Sequence, residues 1–394
     1  MSLNKGSRVF LVSGKRTPFG KFGGSLQDIT PVDLAVYAAK AMIEETGIKP
    51  EQIDQVILGN VVPSSTDALY GGRHLALKVG CPQEVPGIVI NRLCGSGIQA
   101  ILDATRLIKL GEANLVLAGG TENMSMVPHL TYGARFGTKY GSLKNVDMLL
   151  DALTDQYAGI PMGITAENLG DKFSITRDES DDFSVNSHRK AQKAYADGLL
   201  QGEICEIPLR KGSCAKDEHL REDATLEGMQ SLRSSFKKDG LVTPGSASGI
   251  VDGAAVCFVA SEEFVNANKL TPLAEILDGE VVGVDPTIMG IGPSPAIKNI
   301  LKRNNLSFDD IDLVEINEAF SAQTLSCLKD MNLPADKLNV WGGAVALGHP
   351  LAASGTRIAV TLARQLNHFQ KDMGIASACI GGGQGIALLI KRVK

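Results

Sequence analysis

The residues with the clearest chemical potential lie in NRLCGSGIQA, residues 91–100. There Cys94 is followed by Gly95, Ser96 and Gly97, and then by IQAILDATRLIKL with apolar residues at helical spacing. This pattern places a thiol where a loop becomes a helix. The unpaired N–H groups and macrodipole at such a start favour an anion and would stabilise a thiolate. Small neighbours let a ligand come close to the backbone. A buried structural cysteine beside a glycine turn fits the same residues, and the motif alone does not choose between the two.

Three further motifs bear on that choice. GGAVALGHP, residues 342–350, sets His349 at another glycine-rich turn that leads into a helical stretch. Imidazole beside thiol makes a nucleophile near neutral pH. SACIGGGQGIALLIKR, residues 377–392, carries a second thiol, Cys379, ahead of a triple glycine. A terminal strand follows instead of a helix, which excludes a dinucleotide loop. CGSG has no glycine two places before Ser96 and so is not a hydrolase elbow. Glycine amides near a thiol suit donation to an oxyanion. Asn317, in NEAF at the end of the strand LVEI, stands where α/β sheets present residues to a ligand crevice. Its neighbour Glu318 reads either as a base or, more simply, as a solvated or helix-start carboxylate.

The elements that must position these groups alternate between strand and helix. VFLVSG, LAVYAAKAMIEETG, QVILGNVV, GIVINRL, the helix after Cys94 and NLVLAGG follow one another, which predicts an α/β layered fold with a mainly parallel sheet. The last third repeats the programme: 53–60 echoes 311–318, the Cys94 turn echoes 348–366, and 115–123 echoes 376–385, in the same order. Two related halves follow from this, and their facing arrangement would bring Cys94 and His349 to a common junction. The expected organisation is an N-terminal half over 1–122 completed by about 249–272, an inserted loop or lid domain over 123–248 lying over the site, and a C-terminal half over 273–394. Long excursions of this kind usually serve as lids or binding loops.

Composition narrows the class. The 394 residues carry a formal charge of −5, which argues against nucleic-acid or anionic-membrane partners. No apolar run approaches the ~20 residues a membrane helix requires. A strand begins almost at once, with no room for a cleavable signal, so the expected location is cytoplasmic, with the mitochondrial matrix as the alternative. The seven cysteines show no C-x-x-C spacing and their odd number suits a reduced compartment.

Taken in order, KRTPFGKFGGSL, NRLCGSGIQA, GGTENMS, SASGIVDGAA, GIGPSPA, NEAF, GGAVALGHP and CIGGGQG resemble the thiolase family over the full chain. The resemblance implies a duplicated α-β-α-β-α fold of two similar mixed-sheet halves plus the inserted loop domain. It implies an acyltransferase that cleaves 3-ketoacyl-CoA with coenzyme A, reversibly, through an acyl-enzyme. Cys94 would be the nucleophile, His349 its base and Cys379 the acid/base for the second substrate. Asn317 would hold a water that forms one oxyanion hole with His349, and the N–H groups of Cys94 and Gly381 would form the other. Coenzyme A would meet Arg221 and Ser248, with Ala319 and Phe320 lining the pantetheine tunnel and Met162 and Met289 the acyl pocket. Acyl-CoA would be a substrate, with no prosthetic group and no metal, and the partners would be further copies of the chain, as a homodimer or homotetramer with 123–145 between dimers.

The chain departs from the family pattern at two places. Trp341 occupies the second Asn position of N-V-N-G-G, and Ala352 stands where the family has glycine. An indole cannot repeat an amide's paired hydrogen bonds, and alanine resists a positive φ. Pro161 before Met162 points to a broad short- to medium-chain thiolase that also handles acetoacetyl-CoA. A strictly biosynthetic acetoacetyl-CoA enzyme is the alternative. A ketoacyl-synthase-like condensing enzyme, a non-catalytic acyl-CoA or lipid carrier on the same fold and a zinc site are the other readings.

Overall fold

The structure, a computed structural model, describes residues 8–394. Nine strands form the main path of a ten-stranded sheet. They are β1 (Val9–Arg16), β2 (Gln55–Gly59), β3 (Gly87–Ile90), β4 (Leu115–Glu122), β5 (Val251–Ser261), β6 (Ala274–Gly283), β7 (Leu313–Ile316), β8 (Met373–Ile380) and β9 (Gln384–Arg392). Their order across the sheet is β7-β8-β9-β6-β1-β5-β4-β2-β3, with the short strand Gly20–Lys21 added against β5.

Read outward from the middle, this order is a duplication. The N-terminal half runs β1-β5-β4-β2-β3 and the C-terminal half β6-β9-β8-β7. A parallel bridge from Val314 to Leu338 stands at the place of the missing fifth strand. The halves meet through a short antiparallel ladder from Val9 to Ile276 and from Leu11 to Ala274. They share this seam and are not two separate sheets. The expectation of a mainly parallel sheet does not hold. β2 pairs parallel with β3 and β4, and β7 with β8, but every ladder made by β1, β5, β6 or β9 is antiparallel. The cause is that each half closes with a long returning strand, β5 or β9, laid back beside its predecessor.

Eight of the α-helices have nine residues or more: α1 (Pro31–Thr46), α2 (Gly71–Val79), α3 (Ser96–Leu110), α4 (Met162–Phe173), α5 (Arg177–Ala196), α6 (Pro293–Arg303), α7 (Ser321–Met331) and α8 (Leu351–His368), and all but α4 and α5 pack on the sheet. Strand alternation sorts side chains between layers. On β4, Leu115 and Leu117 join α1 and α2 in an outer cluster, while Val116 and Ala118 face the central helices α3 and α8. On β9, Ile386, Leu388 and Ile390 face that same centre, and Ala387 and Leu389 pack outward with α6 and α7. The central pair contacts both halves: α3 lies on β4 and β2 and reaches β9, while α8 lies on β4, β5, β7 and β8. This is the α-β-α-β-α layering.

α3 and α8 pack backbone to backbone. A Cβ at Gly97 would fall within 2.4 Å of the Thr356 amide, and one at Gly355 within 2.5 Å of the Ile98 amide. Small residues here let the two helices, and the turns that precede them, approach closely.

Residues 123–248 connect β4 to β5 through three two-stranded ribbons and helices α4 and α5. A buried ionic knot anchors this segment. The Arg16 guanidinium donates to Glu203 at 2.7 Å and to both oxygens of Asp217 at 2.7 and 2.9 Å, and the Tyr195 hydroxyl also bonds Asp217. Thr361 of α8 completes it by donating to Glu203. Losing one partner of such a buried pair costs about 3–5 kcal/mol, because a charge is left uncompensated.

Candidate active site

Seven of the residues singled out from sequence, Cys94, Met162, Ser248, Met289, Ala319, Phe320 and His349, line one cavity of about 280 Å³. Its wall is almost wholly apolar. Leu150, Leu153, Met162 and Phe236 of the 123–248 segment close one side, and the ring of Phe236 meets that of Phe320 edge to face at 6.5 Å.

Cys94 sits in the 3₁₀ turn Leu93–Gly95 that leads into α3. The residue before it, Leu93, has φ +47°, an uncommon conformation for a side chain of this size. The turn is locked locally: Ser96 Oγ donates to Leu93 O at 2.7 Å and accepts from Arg92 N at 2.9 Å, while Asn91 Oδ1 accepts from Leu93 N at 2.9 Å. Cys94 is half-buried, opening onto the cavity. Burial pushes its thiol up to about 11, against the pull of N–H groups from Gly381 and from Cys94 itself. The expected standing thiolate therefore does not form in the free protein. Desolvation outweighs the helix start, and the group rests as a thiol.

His349 lies in the turn before α8, and its surroundings fix the tautomer. Ser354 Oγ stands 2.5 Å from Nδ1 and donates its own proton to Pro350 O at 3.1 Å. With the serine proton given to that carbonyl, the imidazole proton sits on Nδ1 and is donated to Oγ. Nε2 is then the free lone pair, and Asn317 Nδ2 donates to it at 3.3 Å. Burial, with the Arg357 guanidinium acting the same way, lowers His349 to about 3. A neutral imidazole with an open Nε2 thus shares a cavity with a neutral thiol, and proton transfer between them can accompany attack on an electrophile.

Cys379 ends β8 and is fully buried, packed against Met289 and Ala319 with Met162 and Phe320 nearby. Burial and the neighbouring Cys94 and Cys327 drive its thiol well above the ordinary range. Asn317 is likewise fully buried, and its Oδ1 accepts no hydrogen bond from the described residues. Gly381 follows β8 with its N–H toward the Cys94 sulfur. Cys379, Asn317 and Gly381 are outside the cavity lining but meet Met289, His349 and Cys94, whereas Arg221 is outside the lining and its guanidinium donates to Pro244 O at 3.3 Å. Among the described residues, no group of three or more His, Cys, Asp or Glu is placed to hold a metal ion.

Glu318 is neither solvated nor a helix-start carboxylate. It is buried and accepts from Ser187 Oγ (2.7 Å), Asn339 Nδ2 (2.8 Å) and Val345 N (3.0 Å), which holds the loop ahead of His349. With every near donor already aimed at it, its part is structural. The departures at 341 and 352 also resolve. Asn339 alone ties the loop to β7 through Ile316 N and Ile316 O, and Trp341 turns away to pack on Ala194, Leu200, His368 and Phe369. Ala352 lies in the first turn of α8 and is not at positive φ, so it bears none of the strain expected of it.

The family model "Thiolase, N-terminal domain" matches residues 9–263, and "Thiolase, C-terminal domain" matches residues 270–392. The chain belongs to the thiolase family. It is 48% identical to the human "3-ketoacyl-CoA thiolase, mitochondrial" over 396 residues, covering 99% of each chain. It is 46% identical to a "Probable acetyl-CoA acyltransferase" of Staphylococcus aureus (strain COL), covering 98% of this chain and 100% of that one. A crystal structure of the human mitochondrial 3-ketoacyl-CoA thiolase in complex with CoA superposes with a TM-score of 0.97 at 48% identity, covering 100% of this chain and 99% of that one. The Bacillus anthracis acetyl-CoA acetyltransferase gives 0.96 at 42%, covering 99% and 100%.

Sequence reasoning missed Ser354, Phe236 and the wall residues Leu150 and Leu153. Only Ser354 had a usable signal. It lies five residues after His349, on the first turn of the helix His349 introduces.

Proposed function

We propose that this thiolase catalyses reversible, CoA-dependent cleavage of 3-ketoacyl-CoA to acyl-CoA and acetyl-CoA. The observation that carries the reading is the meeting of a thiol and an imidazole with a free Nε2 in one apolar cavity, with a second thiol buried beside them. In this reading His349 Nε2 takes the Cys94 proton as sulfur attacks the 3-keto carbonyl. The Cα–Cβ bond breaks, Cys94 keeps the acyl group as a thioester, and its electron pair passes to an acetyl-CoA enolate. Cys379 protonates that enolate. Cys379 then accepts the proton of incoming coenzyme A, whose sulfur takes the acyl group, and Cys94 leaves as a thiolate that regains its proton from His349. Condensation runs the same steps backward.

The oxyanions need donors, since each is worth ~3–4 kcal/mol at a transition state. The N–H groups of Cys94 and Gly381 serve the acyl oxygen. Asn317, through a water, serves with His349 for the enolate. Ser248, Ala319 and Phe320 guide the pantetheine arm, Met162 and Met289 border the acyl group, and Arg221 meets the coenzyme outside the cavity. Residues 123–248 act as the lid over this site, between halves 1–122 with 249–272 and 273–394. Coenzyme A enters as substrate, without a prosthetic group. The chain self-associates as a dimer or tetramer, with 123–145 at a contact between copies, and is placed in the cytoplasm. No helix of the described residues is long and apolar enough to cross a membrane.

The test is direct. Incubated with acetyl-CoA and without acceptor, the protein should carry one acetyl group, located by peptide mass on Cys94, and steady-state kinetics should be ping-pong. An unmodified Cys94 would defeat the proposal and favour the carrier reading. Rates with acetoacetyl-CoA and with longer 3-ketoacyl-CoAs then separate the broad enzyme from the strictly biosynthetic one.

A further inference from the structure

Glu122 is the last residue of β4 and is fully buried, yet it lies outside the chemistry above. We infer that it is a positioning residue whose single carboxylate holds the nucleophile's turn and the base's helix in fixed relation, by accepting N–H donors from both.

The bonds divide between two loops. Oε1 accepts from Asn60 Nδ2 and Val62 N, both at 2.9 Å, and Oε2 from Val61 N at 3.1 Å and Ala352 N at 3.2 Å. Each leads to a reacting group. On one side, Val61 O accepts from Asn91 Nδ2 at 3.0 Å, and Asn91 Oδ1 in turn accepts from Leu93 N, the positive-φ residue directly before Cys94. On the other side, Ala352 is the second residue of α8, three places after His349. An anion there also meets the positive end of an 18-residue helix.

Two further facts make this a mechanical link. Gly120, on the same strand, has the Ala352 carbonyl against its Cα with no space for a Cβ, so α8 is pressed onto β4 at this point. Burial lifts the Glu122 carboxyl to about 7, so in an assay at about pH 8 it is a carboxylate with no proton to give, and all four contacts depend on its acceptor capacity. An amide at the same position would turn a donor toward N–H groups that are themselves donors, and one of the two loops would lose its anchor.

The inference rests on the reading of Cys94 and His349 as the reacting pair, and acylation of the wild-type enzyme tests that first. Glu122→Gln is then assayed as the full chain, with folded active sites counted by iodoacetamide labelling of Cys94. Per labelled site, kcat should fall about 100-fold, as expected for a misplacement of roughly an ångström, while KM for coenzyme A stays within about threefold. Should Glu122→Gln fail to fold, Asn91→Ala cuts the same chain one step later and should show the same split. Wild-type kcat in the folded variant, or a rise in KM with kcat unchanged, would overturn the inference. So would a loss that vanishes once active sites are counted, since that is the signature of a merely structural residue. If the wild type itself fails to acylate, the thiolase reading falls instead.

Discussion

The turns before α3 and α8 open the two central helices from corresponding places in the duplicated halves, but they are built to different ends. At the Cys94 turn the side chains of Asn91 and Ser96 fix only the backbone, and no clamp is placed on the thiol itself. The turn has a positive-φ Leu93, a 3₁₀ bend and a helix without a side-chain cap, and the thiol opens onto the cavity. The His349 turn grips its side chain at both ring nitrogens, through Ser354 and Asn317, in a nearly closed setting. A nucleophile must accept an acyl group and so needs space. A base must present one lone pair in one direction and so needs clamps.

The largest test of that contrast removes each group in turn. Cys94→Ala should lower turnover by at least about 1,000-fold and abolish the covalent acetyl adduct, because the neighbouring thiol, Cys379, is fully buried and does not line the cavity. Cys379→Ala should be as inactive in thiolysis, yet its Cys94 should still be alkylated stoichiometrically by iodoacetamide. Equal loss of both readouts in the Cys379 variant would mean that the second thiol shapes the site and does not move protons.

A smaller effect is expected from loosening one clamp. Ser354→Ala keeps the imidazole but frees the Nδ1 proton, so part of the population would carry the wrong tautomer. One neutral hydrogen bond is worth about 1 kcal/mol, which predicts a fall in kcat of about fivefold with KM little changed. An unaffected kcat would show that burial alone orients the ring.

How much of this was legible from sequence follows from the same contrast. The duplication, the layers and the turns that carry Cys94 and His349 could be read because they depend on local periodicity and on glycines at turns, and the two residues were paired by the repeat. What escaped depends on burial. The thiol's rise to about 11 instead of a helix-stabilised fall reflects desolvation that no motif encodes. Glu318 looked like a surface carboxylate because its donors, Ser187, Asn339 and Val345, are scattered along the chain. Trp341 seemed disruptive because its packing partners on α5 and α8 could not be seen.

Burial also sets the response to acid. His349 and His188 are held neutral to about 3 and His219 to about 4, in each case mainly by desolvation. Their folded pKa values lie below the unfolded ~6.5, so the stability they confer is present above that value and is lost as pH falls toward 3. Glu122 and Glu315 are raised by burial to about 7, which makes the folded form bind their protons first and gain stability as pH falls from 7 to 4.5. The two sets oppose each other in the upper window, and only the histidines act below it. With three histidines set against two acids, the melting temperature should therefore fall gently between about pH 6.5 and 4.5 and steeply between 4.5 and 3. An even decline across the whole range would show that the acids are not protonated in the fold.

The smallest effect on catalysis is expected farthest from both turns. Tyr132, Phe136, Tyr140 and Leu143 project from the 123–145 segment at 67, 95, 99 and 52% exposure. Exposed apolar groups gathered on one arm mark an interaction surface, and the proposed contact between copies accounts for them. Phe136→Ser combined with Tyr140→Ser should lower the particle mass measured by light scattering while leaving kcat within about twofold, since neither ring lines the cavity. If mass and kcat fell together, the arm would be supporting the lid at Leu150 and Leu153, and the separation drawn between a catalytic centre and a peripheral contact would have to be given up. Unchanged mass would place the interface between copies elsewhere, with the open edge at β3, where Ile88 is 48% exposed, the next surface to alter.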